Sequence, residues 1–170
     1  LEQEARKIAE NSGMLSDMPI LCPLIFEGLI GMVGGQKPEA NLLRSMLTAL
    51  ATSHAPGELK IVLLVQPDAL SQWSWARWLP HLRGEDGQTS LFCADNAAAE
   101  KLLTSLEEML QVRQAVQKQS GNPTVPENLP HYVFVSTAYG WLEQHAIAKL
   151  LFSEPRPGCS ALFAYPNLSL

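Results

Sequence analysis

The segment KIVLLV, at residues 60–65, limits the possible folds more than any other stretch of the sequence, because five aliphatic residues follow Lys60 without a break. A strand with one solvated face alternates apolar and polar residues, whereas a continuous run of aliphatic residues is typical of a strand buried on both faces of a parallel sheet. Four further segments have the composition of strands. We therefore predict additional strands at 29–33, 90–94, 132–136 and 159–165.

Segments with helical periodicity lie between these strands, as parallel pairing requires. A helix is predicted at 38–52, where apolar residues repeat at i, i+3 and i+4. Asp95 is predicted to cap a long helix that runs to about Gln119, and another helix is predicted from Trp141 to Phe152. The alternation predicts an α/β domain with a mainly parallel central sheet of about five strands. The sequence leaves the order of the strands open.

The predicted domain organisation is a short linker followed by one domain. Residues 1–18 are interpreted as a linker with a helix at 2–12, and residues 19–170 as the domain. Residues 120–130, SGNPTVPENLP, contain three prolines and are predicted to form an exposed loop. The sequence starts with leucine rather than methionine, so we expect it to be part of a longer polypeptide. No stretch approaches 18 uninterrupted apolar residues, which predicts no membrane span.

The composition argues against several classes of partner. The net charge is −5 and only 12 residues are Lys or Arg, without a basic stripe, so binding to nucleic acid or to a membrane surface is not expected. Charged residues make up only 17% of the chain, which suggests that part of the surface meets other protein. Cys22, Cys93 and Cys159 lack C-x-x-C spacing and are interpreted as reduced, mostly buried thiols of a cytosolic protein. The four histidines lack ligand spacing, so we expect no metal site.

The segment GLIGMVGGQKPEANLLRSML has the outline of a phosphate-binding loop between a strand and a helix. The Walker A pattern is G-x-x-x-x-G-K-[ST]. Aligning Lys37 with its lysine places Gly31 at the first glycine, Gln36 at the second and Pro38 at the Ser/Thr position. Proline has no hydroxyl to coordinate Mg²⁺ and no backbone N–H for a phosphate. Gly34 and Gly35 retain the potential for a weak anion nest.

The second half of a nucleotide site, an acid at the end of an apolar strand, is also missing. The run YVFVS ends in Ser136 and is followed by Thr137, where a Walker B motif would have Asp or Glu. The loss of two or three charge-assisted hydrogen bonds, about 1.5–3 kcal/mol each, weakens a micromolar site to roughly millimolar. We therefore interpret 31 and 34–38 as a degenerate nucleotide loop and 136–137 as a degenerate Walker B position. No catalytic residue, ATP or Mg²⁺ is expected in this domain.

The segment QWSWARWLPH contains three of the four tryptophans of the chain. As a single helix, it would place Trp75, Trp78 and Leu79 on one face and Trp73 on another. One interpretation is that two of the indoles anchor a short helix on the edge of the sheet. The other is that an indole is presented to a partner, because Trp and Arg dominate interface hot spots. The candidate interface residues are Trp73, Trp75, Arg77, Trp78 and His81.

A hydrolase is not favoured by the sequence. It has no G-x-S-x-G elbow, and none of its cysteines has a local catalytic signature. His131 and His145 are interpreted as ordinary surface or loop histidines.

Several segments taken together resemble one family. The succession of PILCPL, GLIGMVGGQ, ATSHAPGELKIVLLV and WSWARWLPH is similar to a module of the FtsK/SpoIIIE-type ATPases of type VII secretion systems, the EssC/EccC family. Within those proteins it resembles the degenerate ATPase-like domain between the membrane and stalk region and the tandem ATPase domains. The resemblance covers nearly the whole chain, and WSWARWLPH is its most specific element.

The resemblance implies a three-layer Rossmann/P-loop-like domain in a motor that exports proteins across a bacterial membrane. It implies a cytoplasmic, non-catalytic domain of a membrane-anchored protein whose full-length parent is an ATPase. The implied partners are neighbouring ATPase domains, other secretion-system subunits and, as a further option, secreted substrates. Two alternatives stay open: an atypical nucleotide-binding ATPase domain and a substrate-recognition module for exported proteins.

Overall fold

The computed structural model describes residues 23–33, 38–121 and 128–165 of the 170-residue chain. The predicted linker at 1–18 and its helix at 2–12 lie outside the described residues. Most of the predicted loop at 120–130 lies outside them as well.

A five-stranded, all-parallel sheet forms the centre of the domain. Its spatial order is β1-β5-β4-β2-β3, so β1 and β3 are the edge strands among the described residues. The α/β prediction with about five mainly parallel strands is confirmed, although the third strand has only two residues where five were predicted. The strands are β1 Leu29–Val33, β2 Leu59–Leu64, β3 Phe92–Cys93, β4 His131–Ser136 and β5 Cys159–Tyr165.

Helices connect the strands in the predicted places. The best-defined one follows Asp95, whose carboxylate accepts a hydrogen bond from the Ala98 N–H at 2.8 Å and so caps the helix as predicted. Gly121 ends this helix with a φ of 65°, a left-handed conformation that favours glycine. The α-helices are α1 Leu24–Glu27, α2 Pro38–Ser53, α3 Leu70–Trp73, α4 Asn96–Ser120, α5 Tyr139–Glu143 and α6 Ala148–Leu151.

The predicted continuous helix from Trp141 to Phe152 is wrong, because two short helices, α5 and α6, occupy this region. His145 lies between them, buried against α4. Its Nδ1 atom accepts the Ile147 N–H at 3.1 Å, which replaces the bond that this N–H would make within a continuous helix. The apolar spacing that predicted one continuous helix is therefore also compatible with two short helices.

Two apolar layers enclose the sheet. On one side, here called the α4 face, residues of α4, α5 and α6 pack on the sheet through side chains such as Leu103, Leu142 and Leu151. On the other side, the α2 face, α2 packs on the sheet through Leu43 and Leu47. The segment QWSWARWLPH at 72–81, here called the tryptophan segment, packs on the same face. All six residues of β2 are buried, as its continuous apolar run predicted. The domain is therefore a three-layer structure.

Candidate functional site

The glycine loop joins the carboxyl end of β1 to the first residue of α2. Gly31 lies inside β1 and pairs with Phe163 of β5, and Pro38 is the first residue of α2. Proline is tolerated at that position because the first helical N–H groups have no partner within the helix. The strand and the helix on either side of the loop agree with the prediction. Gly34, Gly35, Gln36 and Lys37 lie outside the described residues.

The carboxyl end of β4 carries two hydroxyl side chains that bond to the protein backbone. Ser136 is fully buried, and its Oγ accepts a hydrogen bond from the Ala138 N–H at 3.1 Å. The Thr137 hydroxyl donates to the Leu64 carbonyl at 3.4 Å, and the Thr137 N–H donates to the same oxygen at 3.0 Å. These hydroxyls stabilise the turn after β4, at the place where a Walker B acid would stand.

The rest of the described chain lacks a cluster of side chains that could coordinate a cation. In residues 23–33, 38–121 and 128–165, no group of three or more His, Cys, Asp or Glu side chains is arranged to hold a metal ion. Asp95 follows the carboxyl end of β3, at the same end of the sheet as Ser136 and Thr137. Its carboxylate caps α4. The expectation that ATP and Mg²⁺ are not bound stays a prediction.

The tryptophan segment is not the single helix that the sequence suggested. A four-residue α-helix, α3, is followed by a 3₁₀ helix at Ser74–Trp78 and another at Pro80–Leu82. Trp73 is only 1% exposed and serves as the anchor of the segment on the α2 face. The Arg44 guanidinium lies 5.5 Å from the centre of its ring, within the range of a cation–π contact.

Trp75 and Trp78 share one side of the 3₁₀ helix, and that side faces solvent. A 3₁₀ helix has three residues per turn, so residues three apart are aligned. Ala76 is fully buried and Leu79 is half-buried on the inward side, while Trp75 is 37% and Trp78 is 87% exposed. The prediction that Trp75 and Trp78 share a face is confirmed, but Leu79 does not share it.

The five candidate interface residues therefore divide into an exposed and a buried group. Arg77 is exposed and lies 5.1 Å from the centre of the Phe92 ring. His81 is 3% exposed, and its Nε2 bonds to the His54 carbonyl at 2.8 Å. Together with Trp73 it packs inside the domain, which leaves three side chains for a contact. We name the surface formed by Trp75, Arg77 and Trp78 the tryptophan surface.

Two histidines were interpreted as ordinary surface or loop residues. His145 does lie in the loop between α5 and α6, but it is buried, and His131 is half-buried at the start of β4, so neither is an ordinary surface residue. Burial, with smaller effects of the nearby Arg113 and His54 charges, lowers the pKa of His131 to about 4. His145 is 9% exposed, and its ring lies 3.7 Å from the carboxylates of Glu100 and Glu107 on α4. The position of His131 directly before the apolar run YVFVS was the one sequence signal for its partial burial.

An apolar groove that the sequence did not predict lies beside β1, on the α4 face. Its volume is about 320 Å³. Sequence periodicity could not reveal it, because it is formed by residues from β1, β5, α5 and α6 that are distant in the chain. The lining residues are Leu29, Gly31, Leu142, Glu143, Ala148, Leu151, Phe152 and Phe163.

Comparison with known proteins gives matches to type VII secretion proteins. No protein-family model matches the chain. The type VII secretion system protein EssC of Staphylococcus aureus is 27% identical over 148 residues, which cover 86% of this chain and 10% of that protein. The ESX-4 secretion system protein EccC4 of Mycobacterium tuberculosis is 39% identical over 67 residues, covering 39% of this chain and 5% of that protein. The chain thus spans about a tenth or less of these relatives.

A solved structure shares the fold. It is Thermomonospora curvata EccC, ATPases 2 and 3, in complex with a signal sequence peptide, with a TM-score of 0.66 and 14% identity. The match covers 86% of this chain and 26% of that one. Within the part of this chain that the structure describes, no helix is long and apolar enough to cross a membrane. On the sequence matches, the chain is homologous to the FtsK/SpoIIIE-type ATPases of type VII secretion, the EssC/EccC proteins.

Proposed function

We propose that this domain is a non-catalytic ATPase-like module of a membrane-anchored type VII secretion motor. Its work is to contact neighbouring ATPase domains of the same polypeptide or of other subunits. It lies on the cytoplasmic side of the membrane. The motor's other domains supply nucleotide hydrolysis.

The observation that supports a non-catalytic role is the chemistry at the end of β4. Magnesium bound to a triphosphate needs oxygen ligands that can approach the metal, and carboxylates are the usual ones. Ser136 is buried and its hydroxyl accepts a backbone N–H, while Thr137 bonds to the backbone of β2. Pro38 removes the hydroxyl and the N–H that the helix terminus would otherwise offer. Neither Pro38 nor the Ser136–Thr137 position offers the usual metal ligand, which supports a non-catalytic role.

The tryptophan surface supports a role in protein contacts. Trp78 is 87% exposed, and its sequence neighbours Arg77 and Trp75 are exposed as well. An exposed indole is costly to leave in water, and Trp and Arg are the residues most enriched in the centres of protein interfaces. Anchoring of the segment by Trp73 keeps this surface in a fixed place, which reduces the entropy lost on binding.

The contact role is tested in the full-length secretion protein. Trp78→Ala should lower secretion by about tenfold or more, as expected for a hot-spot residue worth at least ~2 kcal/mol. Val116→Ala on α4 is the matched control, because Val116 is also more than half exposed but lies away from the tryptophan surface. The same two variants of the 170-residue chain should unfold at unchanged denaturant concentrations. Normal secretion by the Trp78→Ala protein would contradict the contact role.

A second candidate is an atypical nucleotide-binding domain that receives its acid from a neighbour. The preserved strand–loop–helix outline around Gly31 favours it. Hydrolysis assays on the full-length protein with Lys37→Ala discriminate between the two. A non-catalytic domain predicts unchanged hydrolysis, whereas this alternative predicts a large loss.

A third candidate is a recognition module for exported proteins. It is favoured by the Thermomonospora curvata EccC structure, which contains a signal sequence peptide. The test is a pull-down of a secretion-signal peptide by the 170-residue chain at saturating peptide. Retention of the peptide would support recognition, and its absence would count against it.

A further inference from the structure

The tryptophan surface is held in place from beneath by a stack of aromatic and charged groups. The Trp75 ring is stacked on the Trp73 ring, with 6.5 Å between the ring centres and an angle of 23° between the planes. The Arg44 guanidinium lies 5.5 Å from the Trp73 ring centre and donates hydrogen bonds to the side chains of Asn41 and Gln72, each at 2.9 Å. Trp75 is therefore oriented before a partner binds, which lowers the entropy cost of a contact.

Trp78, three residues further along the same 3₁₀ helix, is far less covered. Among the large apolar residues of the described chain it has the highest exposed fraction, 87%, whereas Trp75 is 37% exposed. An indole offers a large apolar area together with an N–H that can donate a hydrogen bond. The chemistry of Trp78 therefore fits an apolar side chain of a partner that covers its ring.

Arg77 lies between the two exposed indoles in the chain, and its guanidinium is supported by a ring rather than paired with a carboxylate. It lies 5.1 Å from the centre of the Phe92 ring of β3. The ion pairs within the described part of the chain use Arg113, Arg156 and His145, and none of them uses Arg77. A guanidinium that stacks on a ring keeps the N–H groups at its edge available, and a carboxylate can accept two parallel hydrogen bonds from them.

The charge around this surface has the opposite sign to the charge of the whole chain. The chain has 17 Asp and Glu residues and a net charge of −5. Residues 69–84 nevertheless contain Arg77 and Arg83 and no Asp or Glu, and both arginines are exposed. A positive segment on an otherwise acidic protein is the pattern expected for electrostatic complementarity with a negatively charged partner.

We propose that the tryptophan surface binds an acidic segment of a partner protein. In this contact an Asp or Glu of the partner pairs with Arg77, and an apolar side chain next to that residue covers Trp78. The proposal rests on the contact role proposed above and adds the chemistry of the partner. An anionic membrane offers the same charge, but membrane recognition uses clusters of about 4–8 basic residues. The segment at 69–84 has two arginines.

A charge series at Arg77 in the full-length secretion protein tests the sign of the partner's charge. Arg77→Gln removes the positive charge and Arg77→Glu reverses it, and both lose the contact with Phe92, so their comparison isolates charge. We expect Arg77→Glu to lower secretion about tenfold further than Arg77→Gln, because a carboxylate then faces a carboxylate. Lys101→Glu is the control and should leave secretion unchanged, since Lys101 is exposed on α4, on the other side of the sheet.

The outcomes separate this proposal from the proposed function. If Trp78→Ala lowers secretion while the Arg77→Gln and Arg77→Glu proteins secrete equally, the contact role stands and the acidic partner is wrong. If the Trp78→Ala protein secretes normally, the contact role is contradicted and the acidic partner falls with it.

Three probe peptides test the same chemistry on the 170-residue chain. The first has a Phe-Leu centre with a pair of glutamates on each side, the second replaces the glutamates by lysines, and the third replaces the centre by Gly-Ser. We expect the first to bind at least about tenfold more tightly than the other two, and Trp78→Ala and Arg77→Gln each to weaken its binding about tenfold. An affinity for the first peptide no greater than for either of the others would overturn the proposal, as would no binding at about 1 mM.

Two further measurements on the 170-residue chain distinguish a partner protein from other occupants. We expect the chain to stay in the supernatant when vesicles of phosphatidylserine and phosphatidylcholine are sedimented, and to remain monomeric in analytical ultracentrifugation. Sedimentation with the vesicles that Arg77→Glu abolishes would identify a membrane as the occupant instead. A dimer that Trp78→Ala dissociates would identify a second copy of the chain, and either result would contradict the proposal.

Discussion

The Nε2 atom of His131 lies 2.7 Å from Oγ of Ser160, joining β4 to β5 near the amino end of the sheet. The Ser160 hydroxyl donates in turn to the Leu24 carbonyl of α1 at 3.1 Å. Since that donation uses the only hydroxyl proton, the His131 ring N–H donates to Ser160. The neutral imidazole thus links two strands to the first described helix.

Stability should depend on pH through His131. Burial lowers the pKa of this histidine to about 4 in the folded protein, below the usual value near 6.5 in an unfolded chain. As pH falls below about 6.5 the unfolded chain takes up the proton first, so the stabilisation is complete above that pH and is lost progressively down to about pH 4. The expected loss is ~3 kcal/mol, measured by urea unfolding across this range.

His131→Gln is the control for the pH effect. A glutamine amide can still donate to Ser160 but does not titrate, so the variant should lack this part of the acid dependence. Other groups contribute to the acid dependence of both proteins, and the difference between the two curves isolates His131. Parallel curves for the two proteins between pH 7 and pH 4 would show that His131 is not held neutral by its surroundings.

Trp73 and Trp78 should differ sharply in their effect on stability. Trp73 is 1% exposed and packs on the α2 face, so Trp73→Ala should lower the free energy of unfolding by about 3–5 kcal/mol. Trp78 is 87% exposed, and Trp78→Ala should change it by less than about 0.5 kcal/mol. Denaturant unfolding of both variants measures the contrast. Similar losses in the two would mean that the packing described for this segment is incorrect.

Tyr132 belongs to a small polar cluster that ties α4 to the 83–90 turn. Its hydroxyl donates to the Glu85 carboxylate at 2.9 Å, and Arg113 contacts the same oxygen at 3.1 Å with its guanidinium 5.3 Å from the tyrosine ring centre. Burial first, and then the bond to Glu85, raise the pKa of Tyr132. Tyr132→Phe should lower the unfolding free energy by about 1 kcal/mol.

Glu85→Ala serves as the comparison for the Tyr132 prediction, since an alanine side chain cannot accept the tyrosine hydroxyl. In the Glu85→Ala background, Tyr132→Phe should therefore cost little, and the coupling energy of the two substitutions should be about 1 kcal/mol. Unfolding measurements on the four proteins give the coupling energy directly. A coupling near zero would mean that the hydroxyl bond adds nothing to stability.

The elements that the sequence predicted well are those with strong local signals. β2 was recognisable from an apolar run that is buried throughout, and α4 from an Asp95 cap followed by apolar residues on one side. In both cases local chemistry and tertiary packing favour the same structure. The strand order could not be predicted, because nothing local distinguishes which strands become neighbours.

The elements that were missed depend on contacts between distant residues. The break between α5 and α6 follows from His145, whose burial against α4 is invisible in helical periodicity. The orientation of the tryptophans follows from 3₁₀ geometry, which the segment's spacing alone did not indicate. The groove beside β1 required the strand order before it could be recognised.

The measurement that tests the central claim most directly is calorimetric titration of the 170-residue chain with ATP and Mg²⁺. With neither a hydroxyl at Pro38 nor an acid at Ser136 or Thr137, we predict no binding tighter than about 1 mM. Lys37→Ala is titrated alongside and should behave like the unmodified chain. Binding tighter than about 100 μM that disappears in the Lys37→Ala variant would contradict the account.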